Sequence, residues 1–186
     1  MENIFSNLDI AKLQGLVGSE LSYVAGPQLW EFLNSDLIFV AAGSKRLSFQ
    51  GDIFPESFEG FDSDYSRIKL SEPTQAEVDA ALKVGAAYYF HSGEVIDRVF
   101  VIRESIRYFG AKGETWEYVT DTGVVFQLTG GTLAVSKLGH HDEMLQVTYL
   151  DELSVDLLPV TVGHFESDLY QKYEFSRELI PLGPIR

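Results

Sequence analysis

The chain contains no cysteine, which excludes thiolate nucleophiles, zinc ribbons, iron–sulfur ligation and disulfide frameworks together. The same absence fits a reducing compartment. Basic residues are scarce as well: 14 Lys and Arg stand against 28 Asp and Glu, for a formal charge of −14. A field of that sign repels phosphate backbones and anionic lipid, so neither nucleic acid nor a membrane is an expected partner. There is no apolar run long enough to span a bilayer. The segment Met1 to Leu16 carries Glu2, Asp9 and Lys12 where a signal peptide has a basic start and an unbroken apolar core, and the expected location is cytoplasmic. Despite 16 glycines there is no Walker loop, no G-x-G-x-x-G opening a helix after a strand, and no G-x-S-x-G hydrolase elbow. No cofactor is expected.

Apolar material is plentiful. Hydrophobic residues make up 45% of the 186, with 13 Phe and 9 Tyr among them. That suffices for a core that offsets the entropy of ordering the backbone. One compact unit over residues 1–186 is the simplest organisation. Two related halves, about 1–70 and 71–160 with a C-terminal extension 161–186, are the alternative. Leu37 to Leu47 and Val124 to Leu133 both place an aromatic third in a buried limb and turn at glycine. Turn chemistry and a period of two impose that pattern on unrelated hairpins too.

Leu8, Leu13 and Leu16 recur near helical spacing behind Ser6 or Asn7, which predicts a short helix ended by Gly15 and Gly18. Short apolar runs at Leu21–Val24 and Leu29–Leu33 are read as weak strands. Leu37–Ala42 turns through Gly43 into an alternating partner, Arg46–Gln50, which predicts a β-hairpin. The next stretch, Gly51–Asp64, keeps neither period and is expected as a long irregular loop. Thr74 and Glu77 form a capping box, and Val78, Ala81, Leu82 and Gly85 line one stripe of a helix reaching about Ala87. Val95–Phe109 is apolar on both parities, the mark of a central strand. Thr115–Thr120 is expected to turn at Asp121, Thr122 and Gly123 into Val124–Thr129. Gly130 and Gly131 then supply the positive torsions of a primed turn before Thr132–Lys137. Leu145, Val147 and Tyr149 mark another strand, and Phe165–Phe175 a third helix. The fold class expected is α+β, mainly antiparallel β-hairpins in a meander with one or two packed helices. All-β with a minor helix is its nearest competitor.

Charge is uneven along the chain. Eight acids from Asp52 to Asp79 face only Arg67 and Lys69, and a second acidic stretch holds Asp142, Glu143, Asp151, Glu152 and Asp156. Within the first, Glu56, Glu59, Asp62 and Asp64 interleave with Phe54, Phe58, Phe61 and Tyr65. Aromatic anchors inside a charged rim are the composition of protein interfaces. The competing reading folds these rings over one end of a sheet. His140, His141, Asp142 and Glu143 form the tightest polar constellation, but adjacent residues point to opposite faces, so a metal on His140 and Asp142 needs the loop to bend. Arg103 and Arg107 share a parity and are expected to pair with acids of neighbouring strands.

The function expected from these residues is non-catalytic. An acidic cytoplasmic binding protein would engage a basic protein partner through Glu56, Phe58, Glu59, Phe61, Asp62, Asp64 and Tyr65. A bacterial immunity-type protein that neutralises a cationic toxin is one concrete form of it. The alternatives are a small hydrolase or isomerase using carboxylates with His140 or His141, and a structural subunit of a homo-oligomer.

Overall fold

The computed structural model describes residues 2–27, 34–58, 61–90, 92–109, 113, 115–153 and 172–183. Two helices form where local signals are complete. In α1 (Asn7–Gln14) the Ser6 hydroxyl accepts from the Asp9 amide while the Asp9 carboxylate accepts from the Ser6 amide. Thr74 and Glu77 repeat the arrangement at α2 (Gln75–Leu82). Each box satisfies two of the amides that a helix N-terminus otherwise leaves open. Neither helix is long and apolar enough to cross a membrane.

The rest is mostly antiparallel sheet. One sheet runs β6 (Phe61–Ser71), β5 (Lys45–Phe58), β4 (Leu37–Ala42), β2 (Leu21–Gly26) and β7 (Ala86–Tyr89). The other runs β12 (Lys172–Leu182), β8 (Ile96–Phe109), β9 (Thr115–Leu128), β10 (Thr132–Lys137), β11 (Leu145–Leu150) and β3 (Asn34–Ser35). β1 (Glu2–Asn3) lies parallel beside β9 where β10 leaves it. The chain crosses from one sheet to the other at Asp36, between β3 and β4.

The two sheets share one core. Val24, Val40, Leu47 and Phe49 of the first meet Val99, Val101, Phe126 and Val135 of the second, and Leu13 and Leu16 close one end. Phe49 and Phe126 join the layers edge to face, with centroids 6.2 Å apart at 88°. That geometry adds about 1 kcal/mol to the burial of the rings.

Several expectations are corrected. Gly51–Asp64 is a paired ribbon, with Gly51 opposite Ile68 and Phe58 opposite Phe61. β4 pairs with β5 only as far as Gln50. Gly51 still donates to the Asp36 carbonyl at 2.8 Å; beyond it, among the described residues, β5 is paired with β6 alone, so Pro55 can sit in the strand without breaking a central ladder. α2 stops at Leu82 because Gly85 leads the chain into β7; a Cβ on Gly85 would fall inside the Gly26 backbone of β2. Asp121, Thr122 and Gly123 make a bulge instead of a turn: Ile102 pairs with Gly123 and Arg103 with Asp121, leaving Thr122 extra. Among the described residues the glycines with positive φ are Gly18, Gly43, Gly93 and Gly113, so Gly130 and Gly131 do not adopt it. Each lies close to another group instead: a Cβ on Gly130 would be 2.5 Å from the Glu94 carboxylate, and one on Gly131 would be 2.5 Å from the Tyr149 hydroxyl and 2.9 Å from the Leu150 carbonyl.

The expected strand Leu29–Leu33 lies wholly outside the described residues, and most of the expected helix Phe165–Phe175 lies outside them too. From Lys172 onward the chain is a strand, paired with β8 through Leu182. Leu21–Val24 lies within β2, and Val95–Phe109 supplies β8, which is central as expected, between β12 and β9.

Candidate functional site

The site lies just beyond the bulge at Thr122. On β8, Val99 and Val101 face the shared core, while Ile102 takes the other parity, packed with Val125 and Ala134. The extra residue belongs to β9 alone, so β8 keeps its own alternation and Glu104, Ile106 and Tyr108 follow Ile102 as buried side chains. Glu104 is thereby delivered, 0% exposed, into the interior.

An isolated carboxylate there would be strongly destabilising, so it must be paired. Arg177 of β12 donates to Glu104 Oε1 through Nε at 2.8 Å and through Nη2. His140, 1% exposed, meets Oε2 through Nε2 at 3.1 Å. Burial lowers the His140 imidazole against the opposing pull of Glu104. The ring is therefore neutral at pH 7, with Nε2–H donating to the carboxylate. Lys137, also 0% exposed, places Nζ 2.7 Å from the Ser66 carbonyl. Burial lowers its ammonium to about 7, although Glu104 and Asp121 hold it up. Asp121 is occupied by Arg103 at 2.7 and 3.1 Å and by the Phe5 amide at 2.7 Å.

Ser66 ties this node to the ribbon. Its amide donates to the His140 carbonyl at 2.7 Å, its hydroxyl to the Gly139 carbonyl at 3.0 Å, and its own carbonyl accepts from Lys137. Next to it Tyr65 inserts among rings, with centroids 5.1 Å from Tyr118, 5.2 Å from His141 and 6.4 Å from Trp116. Phe54 covers Tyr65 and carries the Arg67 guanidinium 5.1 Å over its face. Burial pushes the Tyr118 phenol up.

The residues expected on a partner surface divide. Tyr65 is 6% exposed and belongs to the interior, a correction that follows from the phase of β6, where Tyr65 faces the rings of β9. Glu56 is half-buried and Asp64 exposed. Glu59, and the side chains of Phe58, Phe61 and Asp62, lie outside the described residues. Asp52 is held by Arg67 and Lys69, both at 2.8 Å, and the Lys69 hydrogen bond leads the effects that keep its carboxyl below the usual range.

His140 and His141 diverge, the first inward and the second outward to the Asp64 carbonyl. Asp142 caps its own turn by accepting from the Met144 amide at 2.8 Å. His140 and Asp142 therefore do not share an ion, and among the described residues no group of three or more His, Asp or Glu gathers for a metal. Arg103 and Arg107 pair with Asp121 and Glu117 of the adjacent strand.

Sequence reasoning missed Glu104, Lys137 and Arg177 as a unit. One signal was available: Lys137 occupies the inward position after Leu133 and Val135. The fold also brings the two acidic stretches together. His141 touches the Asp64 carbonyl, and Gly51 lies so close to Glu143 that a Cβ would overlap its carbonyl. Asp64 is thus a neighbour of the turn that carries Asp142 and Glu143, and Glu56 lies one pair further along the ribbon, where Pro55 is opposite Asp64 and Glu56 opposite Ser63, near the half-buried rings of Phe54 and Trp116. Comparison with protein-family models, with curated proteins and with solved structures finds no match to this chain.

Proposed function

We propose that the chain is a non-catalytic cytoplasmic binding protein that holds a basic protein partner against the acidic face at the base of the β5–β6 ribbon. The observation that carries this reading is the meeting of two acidic stretches, the Asp64 backbone with His141 and Gly51 with Glu143, beside Phe54 and Trp116 and with Glu56 one pair further along the ribbon. Carboxylates gathered from distant parts of the sequence raise the local potential. Half-buried rings among them offer apolar contact to a docked basic side chain. A chain with net charge −14 steers such a partner from a distance. Neutralisation of a cationic toxin by an immunity-type protein is one form of this activity.

The Glu104–His140 pair has the geometry of an oriented base, which favours the enzymatic alternative. Both groups are sealed from solvent, however, and we assign the pair to holding the ribbon on the sheet.

The test is capture from native lysate at low and moderate salt, followed by mass spectrometry and kinetics with the recovered partner. Lys at Glu56, Asp64, Asp142 and Glu143 together is expected to slow association at least about tenfold and to flatten its salt dependence. Unchanged association by that variant would remove the proposal.

A further inference from the structure

Near the other end of β9, at the level of Phe126 and its partner Leu133, roughly 25 Å along the strand from Tyr118, the two layers part between β7 and β11. A crevice of about 330 Å³ opens there. Its floor is made by the core side chains of Val24, Leu133 and Val147. Phe90 and Tyr149 form one wall, with ring centroids 5.9 Å apart at 45°, and Tyr88 lines the cavity beside them. Tyr88 and Tyr149 are 42% and 45% exposed, an unusual outlay of aromatic surface for residues whose neighbours are core.

Among the described residues, one carboxylate lines this apolar space. Glu94 lines the crevice and is fixed by the Gly130 amide, 3.1 Å from its Oε2. A Cβ at Gly130 would lie 2.5 Å from Oε1, so the bare glycine lets the carboxylate sit close against the backbone of the turn between β9 and β10. Burial, Glu94 and Asp151 together push the Tyr149 phenol up. Among the described residues, neither Lys nor Arg lines the cavity.

We propose that this crevice binds a small organic cation, a molecule with an alkylated ammonium head and a compact apolar body. Each class of ligand makes a different demand on the site. An anion meets Glu94 with no counter-charge. A bare metal ion leaves the apolar floor unused and finds one carboxylate where it needs several oxygens. A neutral apolar molecule desolvates Glu94 and gives it no partner. An alkylated ammonium satisfies the carboxylate, presents its charge to the ring faces and lays its body on Val24, Leu133 and Val147. The volume is at the lower end of small-molecule sites, which suits a ligand of one ring. The inference stands apart from the ribbon surface and does not depend on it.

The probe is phenyltrimethylammonium carrying a para-hydroxymethyl group, compared with its uncharged tert-butyl isostere by titration of the tyrosine resonances. The cation is expected to bind about tenfold more tightly than the isostere and to weaken as salt rises. Glu94→Gln keeps an acceptor for the Gly130 amide. It is expected to lower affinity for the cation about tenfold and leave the isostere unchanged. Tyr149→Leu weakens the cation, while the charge-reversed ribbon variant binds it as the parent does. Equal affinity of the parent for the two isosteres, or no response of the tyrosines to millimolar cation, would overturn the proposal without any variant having to fold.

Discussion

Lys137→Met is the change that probes the interior most directly. In the native protein burial lowers the Lys137 ammonium from 10.5 to about 7, whereas the unfolded chain keeps the ordinary value. Between pH 7 and 10.5 the unfolded chain consequently holds a proton that the native state has released. Native stability rises with pH across that window and is lost as pH falls back through it. At 1.36 kcal/mol per pH unit, the fall from 10.5 to about 7 corresponds to about 5 kcal/mol in all, and to about 3 kcal/mol between pH 7 and 9.5. Methionine has a similar length and no charge. It forfeits the bond to the Ser66 carbonyl, a loss of about 1 kcal/mol, and that carbonyl still faces Asn3 Nδ2 at 3.4 Å. The variant is therefore expected to be about 3 kcal/mol more stable than the parent at pH 7, with the gap closing as pH approaches 10. Urea unfolding of both proteins at pH 7, 8, 9 and 10 measures this, and taking the difference cancels the titration of distant groups. A gap that does not change with pH, or a parent more stable than the variant at pH 7, would refute the assignment of Lys137 as a buried, readily deprotonated amine.

Arg177→Met leaves Glu104 in the interior with His140 but without its guanidinium, and is expected to cost about 3–5 kcal/mol in denaturant unfolding. Adding Glu104→Gln to it should recover most of that loss, and a double variant as unstable as the single one would show that the charge is not what hurts. His140 has the sign opposite to acid tolerance: the unfolded ring protonates as pH falls through 6.5 while the buried ring resists, so stability declines on the acid side. His140→Gln, which retains a donor toward Glu104, is expected to flatten that decline between pH 5 and 6.5 in thermal melts; an unaltered acid limb would contradict the reading.

Signals confined to a few neighbouring residues were legible in the sequence. Thr74 with Glu77, the glycine turn at Gly43 and the alternation of Leu145, Val147 and Tyr149 each specify their element locally. Failures arose where distant parts of the chain decide the outcome. Pro55 and its surrounding acids obscured the ribbon, because only the end of β4 at Leu37 reveals that one edge there has no ladder to lose. Glycine was ambiguous for a related reason. Gly123 permits a bulge against Val135, and Gly130 and Gly131 make room for Glu94 and Tyr149, yet in sequence each looks like a turn.

The buried node was the least legible part. Glu104, Lys137, His140 and Arg177 come from strands and turns far apart along the chain, and nothing nearby marks Glu104 as the acid that goes inside. The acidic and aromatic stretch was legible in composition, but Tyr65 shows that composition does not say which rings face solvent.

The supernumerary residue at Thr122 sits on β9 alone, so the two strands of this hairpin differ in what a change of length does to them. Losing Thr122 leaves the pairs Ile102–Gly123 and Arg103–Asp121 in place and removes only the local kink. One residue added to β8 between Ile102 and Glu104 would instead turn Glu104, Ile106 and Tyr108 to the opposite face of the sheet, away from Arg177 and His140. Tolerance of insertion is therefore a property of one strand and not of its partner.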